Sequence, residues 1–119
     1  MNSRKRIAAA GISLLIYAAI SLLSSVPATS LPSGIPDWLP HCGEYFLLAF
    51  FFIQIWARPR RAASLAAAFF LLAALGLFDE WHQLSIPGRV FSQLDWLYDM
   101  IGSLAGLAAY LVLSRRRDK

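Results

Sequence analysis

Cysteine, histidine and charge are all scarce in this chain of 119 residues: one Cys, two His and 15% charged residues. A lone cysteine, Cys42, excludes a secreted scaffold held by intramolecular disulfides. So little charge beside 58% hydrophobic residues excludes a disordered chain, because that much apolar surface is not left in water. A soluble domain is typically ~45–50% apolar and ~25% charged. Basic residues outnumber acidic ones, giving a net charge of +4. They fall in three short clusters between apolar runs instead of lining a folded face, which excludes a nucleic-acid binder. What is abundant is long apolar sequence. The composition is that of an integral membrane protein, and the length suits a single domain spanning 1–119.

Four apolar runs are present. Ile7 to Val26 carries only serines, one tyrosine and one glycine among its polar members. Twenty helical residues reach about 30 Å, the thickness of a hydrocarbon core. Leu39 to Trp56 is interrupted early by His41 and Glu44, Ala62 to Phe78 is short, and Leu97 to Leu113 carries Asp99 near its beginning. The expectation is an all-α membrane four-helix bundle, with helices over about 7–26, 39–56, 62–80 and 95–113. Arg4, Lys5 and Arg6, then Arg58, Arg60 and Arg61, then Arg115, Arg116, Arg117 and Lys119 put ten of eleven basic residues on one side. The positive-inside tendency makes that side, and both termini, cytoplasmic. Trp38, Trp56, Trp81 and Trp96 fall at helix ends, where interfacial aromatics belong. A basic start and Val26-Pro27-Ala28 also resemble a cleaved signal peptide, but the apolar run exceeds the ~7–15 residues of a signal core, so a retained helix is expected.

The acidic residues are more informative. Asp37, Glu44, Asp79, Glu80, Asp95 and Asp99 map to the non-cytoplasmic ends of helices two, three and four, where with Arg89 the formal balance is −5. Asp37 and Asp95 suit helix starts, where a carboxylate accepts from free backbone N–H groups. Glu44 and Asp99 lie inside spans, where an ionised carboxylate is costly without a partner or a wet cavity. His41, Glu44 and Tyr45 share one face of helix two. Asp79, Glu80 and Gln83 pair at helical spacing if helix three runs that far. Asp95 and Asp99 form a stripe with Gly102 and Gly106, whose small-x-x-x-small spacing admits close approach of another helix. Convergence of these faces predicts a polar pocket open to the outer leaflet.

Before helix four, Pro87-Gly88 marks a tight turn that would hold Arg89 above the carboxylates. Two roles stand for Arg89: neutralising Asp79 or Asp95, or gripping a phosphate or carboxylate on a ligand. Asp37-Trp38-Leu39 with His41 is echoed by Asp95-Trp96-Leu97 with Asp99, each opening the second helix of a hairpin. Convergence explains this echo better than duplication, since an N-cap Asp before an interfacial Trp suits any outward-facing helix start.

The ordered set Asp79-Glu80-x-x-Gln83, Pro87-Gly88-Arg89, Ser92, Asp95 and Gly102, preceded by Asp37, His41, Glu44 and Tyr45, resembles the VanZ-like family. Trp38 stands where family members commonly have Lys, and Asp99 where they commonly have Asn; the second change adds a negative charge to the pocket. The resemblance implies a bacterial protein of the cytoplasmic membrane. The family's founding member is linked to teicoplanin resistance, and no established reaction comes with it.

Three readings follow from the pocket. In the first it binds a lipid-linked cell-envelope precursor or a lipoglycopeptide, cationic groups being steered by the acidic mouth. In the second it is an acid–base or metal-dependent enzyme on a lipid-linked or headgroup substrate, with Glu80 or Asp95 as base, His41 as proton carrier and Arg89 as anion clamp. Oxygen ligands would suit a divalent cation such as Mg²⁺ or Mn²⁺, although no pair of histidines four apart marks a metal site. In the third the polar groups are interhelical glue worth ~0.6–2 kcal/mol each. Dimerisation would help so small a chain enclose a pocket, but no residue pattern specifies an oligomer.

Overall fold

Where water is scarce, a helix satisfies backbone N–H and C=O groups within one segment, so long apolar runs without interior proline become helices. The computed structural model describes residues 2–30 and 32–117. Lys119, counted above in the last basic cluster, lies outside them. Four α-helices follow in order: α1 (Ser3–Ser24), α2 (Trp38–Phe52), α3 (Ala62–Gln83) and α4 (Gln93–Arg116), with no strand among the described residues. Three of them, α1, α3 and α4, are long and apolar enough to cross a membrane. α2 is shorter than the 39–56 expected: its α-helix stops at Phe52 and continues as a 3₁₀ turn over Ile53–Ile55.

The helix starts correct one expectation. Asp37 precedes α2 without a side-chain cap bond, and Asp95 lies inside the first turn of α4. The cap of α4 is Ser92, whose Oγ accepts from the Asp95 N–H at 3.1 Å. α3 does extend to Gln83, which places Asp79, Glu80 and Gln83 on its final turns.

α2 and α4 form the closest helix pair, and glycines are the reason. A Cβ on Gly102 would overlap the Cys42 carbonyl oxygen, and one on Gly106 that of Phe46. Contacts advancing by four on both helices mean that α2 and α4 run in the same direction. Tyr45, Leu48 and Ala49 of α2 then bury against Ile20, Ala68, Leu72 and Leu107. The outer faces remain apolar: Leu15 of α1 is 72% exposed and Phe70 of α3 is 70% exposed, as lipid contact requires.

The two ends of the molecule differ chemically. At one end Arg6 Nε donates to the Ile55 carbonyl at 2.7 Å, and Arg60 donates to the Ser114 carbonyl at 2.8 Å. Lys5, Arg58, Arg61 and Arg117 line the cleft there. At the other end lie the acidic residues of the described chain. Trp38, Trp81 and Trp96 stand at this end of their helices, and Trp56 at the basic end.

Candidate functional site

His41, in the first turns of α2, meets α4 through the parallel packing just described. Its Nδ1 lies 2.8 Å from Asp99 Oδ1 and its Nε2 3.5 Å from Asp95 Oδ2. Asp95 and Asp99 are one turn apart on α4, so one imidazole spans both carboxylates. Asp99 is fully buried, while His41 and Asp95 remain partly open. Both contacts are ion pairs if the imidazole is protonated. The residues two places after the Asp-Trp-Leu triplets, His41 and Asp99, thus touch each other, because α2 and α4 enter the structure side by side in the same direction.

Glu80 reaches the same place from α3. It is completely buried; Oε2 accepts from the Ser92 backbone N–H at 3.0 Å, and Oε1 has no partner. One ligand atom from each of His41, Glu80 and Asp95 lies within 4.8 Å of the other two. Among the described residues, this set of side chains could hold a metal ion. Asp99 Oδ2 is likewise buried without a partner and faces Gly76, where a Cβ would come within 3.0 Å of it.

Neighbouring groups divide into two kinds. Asp79 is turned away to α1, where Oδ2 accepts from Ser24 Oγ at 2.8 Å. Tyr45 is fully buried in the apolar core with its hydroxyl unpartnered, so it supports the wall from behind and is not reachable by a ligand. By contrast His41, Glu44, Gln83, Arg89 and Asp37 all line one cleft of about 280 Å³, whose remaining wall includes Leu23 and Ile35.

Arg89 is placed differently from the expected carboxylate partner. Pro87-Gly88 does form a tight turn, with Gly88 at φ +75° and the Arg89 N–H donating to the Ile86 carbonyl at 3.1 Å. That positive φ favours glycine, because a Cβ there would crowd the backbone. The turn aims the guanidinium at the end of α1, where Nε donates to the Val26 carbonyl at 3.0 Å and an Nη to the Leu23 carbonyl at 3.2 Å. The last carbonyls of a helix lack intrahelical donors and carry the negative end of its dipole, so a cation satisfies them well. Among the described residues Arg89 makes no direct ion pair with Asp79 or Asp95, although its charge still acts on Asp79, and it lines the cleft.

α1 contributes more than the sequence suggested. Ser24 anchors Asp79, and Ser25 Oγ lies 3.1 Å from His82 Nε2. Serine in an apolar helix usually bonds its own backbone, so nothing at position 24 advertised a role across helices.

Chemically, an imidazole held between a buried and a semi-exposed carboxylate can pass a proton or present one nitrogen to a bound group. No curated protein and no solved structure matches the chain. A family model does: the one described as VanZ/LLP1 matches residues 19–114. That span contains α2, α3, nearly all of α4, the last residues of α1, and every residue of the cluster and the cleft. The chain belongs to the VanZ/LLP1 family.

Proposed function

We propose that this is a multi-pass protein of the bacterial cytoplasmic membrane, with both termini in the cytoplasm and the acidic end facing out. α2 with its 3₁₀ extension serves as the fourth span of the four-helix bundle. There the cleft binds the polar part of a lipid-linked cell-envelope precursor or a lipoglycopeptide, and lowers antibiotic action of the teicoplanin type.

The observation that carries this reading is the mixed character of one cleft. Glu44 and Asp37 offer anionic contacts, Arg89 a guanidinium fork, and Leu23 and Ile35 an apolar wall. Amphiphiles with both charged groups and an acyl or prenyl chain need that combination. Arg89 can exchange a carbonyl for a phosphate or carboxylate of the ligand, which suits bidentate recognition.

Titration of the purified protein in nanodiscs with teicoplanin, and separately with a lipid-linked peptidoglycan precursor, tests the proposal through the fluorescence of Trp38 beside the cleft. Saturable binding of at least one, lost on Glu44→Gln and Arg89→Ala, supports it. If neither ligand binds, the reading falls.

A second reading, catalysis on such a lipid, is favoured by the placement of His41 between Asp95 and Asp99 with Glu80 alongside. Glu80→Gln separates the two. Loss of a resistance phenotype with ligand binding intact favours an enzyme, and equal retention of both favours binding alone.

A further inference from the structure

We propose that His41, Glu80 and Asp95 are the three protein ligands of a divalent transition-metal ion, Mn²⁺ or Zn²⁺, with Asp99 orienting the histidine. This goes beyond the proposed binding of an envelope ligand and does not depend on it.

Three observations combine. First, one donor atom from each of the three residues already lies within 4.8 Å of the others. Tetrahedral ligands at bonds of about 2.1 Å sit about 3.4 Å apart, so small side-chain rotations close the set. Second, Glu80 is completely buried and its Oε1 has no partner, although Oε2 is satisfied by the Ser92 N–H. A buried, unsatisfied carboxylate oxygen is costly, and the side chain carrying it is the third member of the cluster. Third, Asp99 Oδ1 at 2.8 Å from His41 Nδ1 leaves Nε2 turned toward Asp95. This carboxylate–histidine arrangement fixes the tautomer that presents a lone pair to a metal.

Charge points the same way. Glu80, Asp95 and Asp99 gather three carboxylates around one imidazole, and Arg89 is engaged by the Leu23 and Val26 carbonyls. An imidazolium donating to both aspartates would satisfy His41, but it leaves Glu80 Oε1 unpaired and two formal negative charges uncompensated. A divalent ion bound by the neutral imidazole gives Glu80 Oε1 a partner and leaves one formal negative charge in place of two. One nitrogen donor with two carboxylates suits Mn²⁺ or Zn²⁺ better than Mg²⁺, which prefers oxygen and water. Three protein ligands also leave a position open for water or a substrate oxygen.

The full chain, purified in detergent and stripped with EDTA, is dialysed against micromolar MnCl₂ or ZnCl₂, and bound metal is counted by elemental analysis. One equivalent per chain is expected with wild type and with the control His82→Gln, whose ring lies against Ser25. His41→Gln, Glu80→Gln and Asp95→Asn should each weaken binding at least about tenfold, and Asp99→Ala about 10–100-fold through the lost orienting bond. Asp95 is partly exposed, so Asp95→Asn keeps the fold; its melting temperature should stop responding to metal while its helical circular dichroism matches wild type. Binding well below one equivalent in wild type, or unchanged binding in Asp95→Asn and Glu80→Gln, overturns the proposal. No envelope ligand is present in this experiment, so its failure leaves the binding reading standing, and the converse holds.

Discussion

His41 and Asp99 lie 58 residues apart in the chain, yet His41 Nδ1 and Asp99 Oδ1 are separated by 2.8 Å. The bond ties the first turns of α2 to those of α4 at the level of Glu80, and Gly102, one turn below Asp99, is what lets the helices approach. Close packing and the polar cluster are therefore one device: remove the small residue and the imidazole no longer reaches its carboxylate.

Gly102→Ala and Gly106→Ala should each destabilise the protein by about 1–3 kcal/mol, because the added Cβ overlaps a backbone carbonyl that cannot step aside. Gly43→Ala, with open space around it, should be neutral or mildly stabilising. Thermal unfolding in detergent followed by circular dichroism makes the comparison.

Asp99→Asn retains an oxygen for the His41 Nδ1–H and removes a buried, partly unsatisfied charge, so its stability should fall within about 1 kcal/mol of wild type. Asp99→Ala should cost about 1–3 kcal/mol, since it leaves the ring donor unpaired. Equal stability of the two variants would refute a structural role for this bond.

Ser24→Ala strands the buried Asp79 carboxylate, at an expected loss of about 1–3 kcal/mol. Combining it with Asp79→Asn should reveal a coupling of about 0.5–2 kcal/mol in a double-mutant cycle, and strict additivity would show that the two side chains do not interact in the folded protein.

Arg89→Lys supplies a charge but not a fork that reaches both the Leu23 and Val26 carbonyls. We expect faster proteolysis between α1 and α2 in this variant, and a cost of about 1–2 kcal/mol in thermal unfolding. Wild-type resistance to protease would mean that the clasp at the end of α1 is dispensable.

With Cys42 replaced by serine, a cysteine at Ser33 should react with an impermeant thiol reagent added outside intact cells, and one at Arg58 only after permeabilisation. The reverse labelling pattern would invert the proposed orientation.

The polar cluster was partly legible beforehand. His41, Glu80, Asp95 and Asp99 stood out because ionisable groups within apolar runs are expensive, and helical spacing assigned each to a face. Gly102 and Gly106 marked the helix that would pack closely, and Pro87-Gly88 marked the turn. Periodicity within one helix carries no information about which face of another it meets. Hence the clasp of Arg89 on α1, made while it lines the cleft with Glu44, was not foreseen, Asp79 went to Ser24, and Tyr45 went into the core.

By itself the sequence determined the all-helical character, the three longest apolar helices and the separation of basic from acidic ends, since burial of apolar length and the cost of stranded charge act locally along the chain. Only the tertiary structure decided that α2 and α4 lie in parallel, that one imidazole joins Asp95 to Asp99, and that Glu80 comes within 4.8 Å of the set. Those outcomes depend on the rotation and direction of helices relative to each other, which steric fit at Gly102 and Gly106 fixes once the chain is folded.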